Sequence, residues 1–161
     1  MGDINISSNP NSKIIFNILH AEESPSGGSH SGYGLRFTVS EPLTILNSTV
    51  RPYATETRNV VLHNWDTEEL IDQKEVQFMS GFEHKVYLGF YVVPGITYWM
   101  GVSPSINLMR TDSKTMNYTL GRFTFPSGGR LSDKATATRY YYFFDLKYRL
   151  GKGGGVVNFN G

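Results

Sequence analysis

The side chains best equipped for chemistry in this chain are aromatic rings standing next to forked polar groups. Trp65 immediately precedes Asp66. Arg110, Asp112, Asn117 and Tyr118 fall within one short polar stretch, Trp99 alternates with Gly101, and Tyr141 sits inside an aromatic run near the end. An aromatic ring desolvates a flat apolar face, while carboxylate, guanidinium and amide groups take neighbouring hydroxyls in pairs. A sugar ring, apolar on one face and rimmed by hydroxyls, is the ligand such a set fits. These eight residues are the candidate binding residues, and each has a purely structural alternative. Trp99 lies under a loop or the other sheet, Trp65 seals a rim of the core, Arg110 and Asp112 pair to pin a long loop, and Tyr141 packs in a sheet.

Other chemistries find less support. The four histidines, His20, His30, His63 and His84, have no partners at metal-ligand spacing. Asp112, Ser113 and Asn117 offer oxygens for Ca²⁺ without the spacing of a calcium loop, so no metal and no cofactor is expected. Gly27-Gly28 and Gly128-Gly129 lack the lysine and following helix of a phosphate loop and read as turns. Glycoside hydrolysis needs two carboxyls about 5–10 Å apart; Glu68 and Glu69 are adjacent in a turn, and Asp112 and Asp145 are isolated, so no enzyme is expected. There is no cysteine, which excludes disulfides and thiolate chemistry. A formal charge of +1 provides no field to gather nucleic acid or an anionic membrane, and no apolar run is long enough to cross a bilayer as a helix.

What must position the candidates is a set of short strands. The chain carries ten Tyr, ten Phe and 17 Gly, a balance of strand-formers and turn-formers. Leu35, Phe37 and Val39 alternate with Arg36, Thr38 and Ser40. Val86, Leu88, Phe90 and Val92 alternate with Tyr87, Gly89 and Tyr91. Tyr98, Met100 and Val102 share one face and leave Trp99 on the other, where Gly101 leaves space beside the indole for a flat ligand. Phe144, Leu146, Tyr148 and Leu150 form the apolar face of a final strand. Period-two alternation of this kind marks strands buried on one side. Strands are expected over residues 14–19, 35–40, 44–51, 59–65, 70–78, 85–93, 97–103, 118–125 and 139–150, with residues 126–138 as a loop. Eight or nine strands at this spacing predict an all-β, two-sheet antiparallel sandwich of jelly-roll type. The expected organisation is a polar segment over residues 1–32 with one strand, a sandwich over 33–150, and a glycine-rich tail or linker over 151–161.

Five stretches carry a resemblance: GLRFTVS (34–40), TRNVVLHNWDTEELIDQKEVQF (57–78), KVYLGFYVVPGITYWMGVS (85–103), LMRTDS (108–113) and RYYYFFDLKYR (139–149). Their order resembles that of carbohydrate-binding-module-like β-sandwich accessory domains of bacterial surface and phage tail or virion proteins, over about residues 33–150. The resemblance implies a non-catalytic module, part of a larger secreted or virion assembly outside the cell, that attaches its parent to cell-surface polysaccharide or glycan. A structural or assembly domain of a virion or adhesin is the alternative.

Overall fold

The computed structural model describes residues 15–18, 32–106, 108, 118–137 and 143–152. The described residues form twelve strands and no helix: β1 (Phe16–Ile18), β2 (Tyr33–Val39), β3 (Leu43–Val50), β4 (Glu56–Asn64), β5 (Leu70–Phe78), β6 (His84–Val92), β7 (Tyr98–Ser103), β8 (Tyr118–Leu120), β9 (Phe123–Phe125), β10 (Gly128–Arg130), β11 (Ala135–Ala137) and β12 (Phe144–Leu150). They make two antiparallel sheets. One runs β1-β12-β3-β6; the other runs β11-β10-β2-β7-β4-β5, with β9 also paired to β2. With β8 to β11 set aside, the orders β1-β12-β3-β6 and β2-β7-β4-β5 are those of an eight-stranded jelly roll. The fold is therefore the sandwich that alternation anticipates.

The apolar face of each sheet turns inward. Leu35, Phe37, Val60, Leu62, Tyr98 and Met100 from the larger sheet meet Leu43, Ile45, Val86, Phe90, Leu146 and Tyr148 from the smaller one, all buried in a single core. Each such side chain contributes roughly 1.5–3 kcal/mol relative to exposure. Ser48 is one of the buried polar residues of β3. It donates its hydroxyl to the Phe144 carbonyl at 2.7 Å, next to the register shifts between β3 and β12.

Two expectations need correcting between β7 and β12. The strand anticipated over 118–125 is a hairpin, β8–β9, turned at Gly121-Arg122. Its Phe123 ring lies 5.5 Å from Phe37 and 5.1 Å from Tyr148, closing one edge of the core. The loop anticipated over 126–138 contains a second hairpin, β10–β11. Glycines at 128 and 129 masked it, because they read as turn residues. At Gly129 a side chain would collide with the Trp65 ring, whose Cη2 lies 2.8 Å from where the Cβ would stand.

Candidate functional site

The two tryptophans lie on the outer face of the larger sheet, and neither offers a face to solvent. Trp99 in β7 is 5% exposed and Trp65, just past β4, is 8% exposed. With Val61 they form a second, small apolar cluster, against which Leu131 packs. The cause is a row of glycines. Gly129 in β10 is registered with Gly34 in β2. The β2–β7 register, carried one residue past Leu35↔Met100, sets Gly34 beside Gly101. The Trp99 indole lies across this floor: a methyl at Gly34 would stand 2.8 Å from Cε2, and one at Gly101 would collide with Cη2. Its Nε1–H donates to the Gly129 carbonyl at 2.7 Å. The space that Gly101 was expected to hold open for a flat ligand is filled by the neighbouring indole itself. The exposure expected of Trp99 is thus corrected.

Trp65 is held in the same way. The Arg36 guanidinium carbon and Lys134 Nζ each sit 4.4 Å from its ring centroid. Arg36 donates to Ser127 Oγ at 2.6 Å, and Lys134 donates to the Trp65 carbonyl and pairs with Glu68 at 3.5 Å. The turns after β4 and after β10 therefore meet above the ring. Asn64 shapes the first of them, its Oδ1 accepting from the backbone N–H groups of Asp66 and Thr67. Asp66 is exposed beside this turn. Tyr118 opens β8 opposite Phe125, well along the chain from Trp65 and Trp99. Arg110, Asp112, Asn117 and Tyr141 lie outside the described residues.

The aromatic-plus-polar chemistry is found instead at the side of the sandwich, where the sheets' outer strands β5 and β6 leave an open groove of about 400 Å³. It is lined by Lys74, Glu75, Val76 and Gln77 from β5 and by Lys85, Val86 and Tyr87 from β6. Val86 faces the core, and the alternation turns Lys85 and Tyr87 to the opposite face of β6. Tyr87 is 67% exposed, an unusually open large ring. Within the larger sheet, Thr57 donates its hydroxyl to Oε1 of its register partner Gln77 at 2.6 Å and fixes the amide's orientation.

The groove stays open because β5 resists pairing. It is the last strand of its sheet, exposed from Leu70 to Glu75. A register shift against β4 falls beside Leu70. Asp72 and Lys74 sit opposite Leu62 and Val60, on the face that turns inward elsewhere in the sheet. Bulges and inward-pointing charges on an edge strand disfavour addition of a further strand.

Of the residues singled out from sequence, Trp65, Asp66 and Trp99 have described side chains, and none of these three lines this groove. The sequence did place Tyr87 on the face of its strand opposite Val86, Leu88 and Phe90; it held no sign that β5 would stand across from β6. A scan of protein-family models, a search of curated proteins and a search of solved structures each find no match to this chain.

Proposed function

We propose that the chain is a non-catalytic carbohydrate-binding module and that glycan binds in the groove between β5 and β6. The supporting observation is Tyr87, a solvent-open ring on a strand that lines the same groove as Lys74, Glu75, Gln77 and Lys85. The phenol ring desolvates the apolar face of a sugar, and the amide, carboxylate and ammonium groups take its hydroxyls. A volume of about 400 Å³ is in the range of small-ligand sites. Glu75 is the one carboxylate among the described lining residues, where glycoside hydrolysis uses two. Such a module would serve a secreted or virion parent by attaching it to cell-surface polysaccharide.

The test is retention on immobilised cell-wall and capsular polysaccharides, with Tyr87→Ala as the control. Retention by the unaltered chain and its loss in the variant, at unchanged unfolding midpoint, is the expected result. Equal retention of both proteins would remove the groove from the reading.

A second reading, an assembly or protein-interaction domain, is favoured by a different surface. Tyr53, Met79 and Phe82 are all exposed, Phe82 at 67%, on two loops tied together. Ser80 donates its hydroxyl to the Tyr53 carbonyl at 2.9 Å, and the Gly81 N–H donates to Pro52. Exposed aromatic and methionine side chains on a fixed support are typical interface anchors. A stable oligomer or protein complex lost in Phe82→Ser, without glycan retention, would favour it.

A further inference from the structure

The cations of this molecule divide into two groups. Arg51, Arg58, Arg122, Arg130 and Lys134 each lie within 4.0 Å of a carboxylate oxygen, on Glu83, Glu56, Glu41, Asp133 and Glu68 respectively. Arg36, Lys147, Lys152, Lys74 and Lys85 have no such partner among the described residues, and of these Lys74 and Lys85 line the groove. These two line the same groove from opposite rims, Lys74 on β5 and Lys85 on β6. The lining therefore holds two uncommitted ammonium groups and a single carboxylate, Glu75. In a chain whose formal charge is only +1, that is a local excess in the groove that Tyr87 also lines.

We propose that the ligand of the groove is an acidic glycan, with a uronic-acid carboxylate held between Lys74 and Lys85 while a sugar ring stacks on Tyr87. This rests on the carbohydrate reading above and gives it a chemical class. Lysine ammonium groups suit the role because each is a compact charge with three donors on a flexible stem, able to follow a carboxylate whose position varies along a polymer. Charge-assisted hydrogen bonds to carboxylate are about twice as strong as neutral ones. Lys74 also guards the strand edge, and that role is compatible with binding, since a lysine kept free of acid partners serves both. Glu75 and Gln77 are left for hydroxyls.

The experiment compares oligosaccharides that differ only in charge. Oligogalacturonate, hyaluronan and alginate fragments are each measured by calorimetry beside their carboxyl methyl esters, at low salt and at 0.5 M NaCl. At least one free acid is expected to bind about tenfold tighter than its ester, which is the scale of one charge-assisted contact. Salt should erode that preference, because the screening length falls from about 30 Å at 0.01 M to between about 3 and 10 Å at 0.5 M. The double variant K74Q/K85Q should bind acid and ester alike, and its unfolding midpoint should match the unaltered chain. Equal affinity for acid and ester, with binding still lost in Tyr87→Ala, would overturn the acidic class and leave the carbohydrate reading standing. A preference for the acid that survives in K74Q/K85Q would overturn the assignment to these lysines. No binding of any acid, ester or neutral polysaccharide would overturn both.

Discussion

The outer-face tryptophan cluster and the β5–β6 groove are built from the same kinds of group and behave in opposite ways. Around Trp65, Arg36 and Lys134 lie against the indole; Lys134 is met by the Trp65 carbonyl and Glu68, and Arg36 by Ser127 through Nη1, while its buried Nε has no partner among the described residues. Around Tyr87, the lysines have no acid partner among the described residues and the ring is open. What separates the two is cover. The β10–β11 hairpin extends the larger sheet beyond β2 and its turn reaches back over the tryptophans, whereas no described strand pairs with β5 on its far side. Aromatic rings beside cations thus mark a candidate site only where the fold leaves their polar partners unmade; where it makes them, the same residues are structure.

The largest expected effect breaks the closed side. Trp99→Ala removes a buried indole and its hydrogen bond to Gly129, and should cost about 3–5 kcal/mol in urea unfolding. Gly34→Ala attacks the same contact from beneath. Its methyl would meet the Met100 carbonyl and the indole, and overpacking of this kind costs about 1–3 kcal/mol. If both variants unfold like the unaltered chain, the cluster is not a second core and its tryptophans return as candidate ligand contacts.

Trp65→Ala should cost less, about 1–3 kcal/mol, because the ring lies at a strand end and two of its contacts are flexible cations. The loss should fall on the two turns that meet over the ring. Hydrogen exchange of the residues after β4 and after β10 is the sensitive readout, and faster exchange confined to those turns is the expected pattern.

Much of the fold was legible because alternation is local. Val86, Leu88 and Phe90 declare their buried face through their immediate neighbours, and so do Leu35, Phe37 and Val39. The sites were legible only by half. Alternation correctly put Trp99 on the face away from the main core, but whether that face is bare depends on β10, some thirty residues further along. Gly101 beside Trp99 signals either a vacancy or a tight fit, and only the register that brings Gly34 alongside decides for the fit. Tyr87 was visible on the face of its strand opposite Val86, Leu88 and Phe90. Its partners in the groove lining, Lys74, Glu75 and Gln77, come from a strand in the other sheet, and no spacing in the chain announces that meeting.

On the open side the expected effects are on binding alone. Tyr87→Ala should leave stability within about 0.5 kcal/mol, as exposed substitutions do, while lowering glycan affinity roughly tenfold through loss of stacking. Trp65→Phe, which keeps a ring in the closed cluster, should leave that affinity unchanged. The opposite pattern would exchange the roles assigned to the two regions.

The smallest effect concerns the turn that covers the tryptophans. Asp133 accepts from Arg130 Nε at 3.0 Å and Nη2 at 2.6 Å, and from the Ala135 N–H at 3.1 Å. The Arg130 guanidinium first, and the backbone N–H second, hold its carboxyl down at about 2, against an ordinary value of 3.8. A carboxyl lowered on folding stabilises the folded chain above the unfolded-state value, and this contribution fades as pH falls from about 4 through 2. The pair is open to solvent, so the contribution is small and salt-sensitive. An NMR titration of the Asp133 side-chain carbon should place its midpoint near 2 in the unaltered chain and higher in Arg130→Gln. A midpoint near the ordinary value in both would mean that the turn is not locked by this pair, and that the cover over Trp65 depends on Lys134 and Leu131 instead.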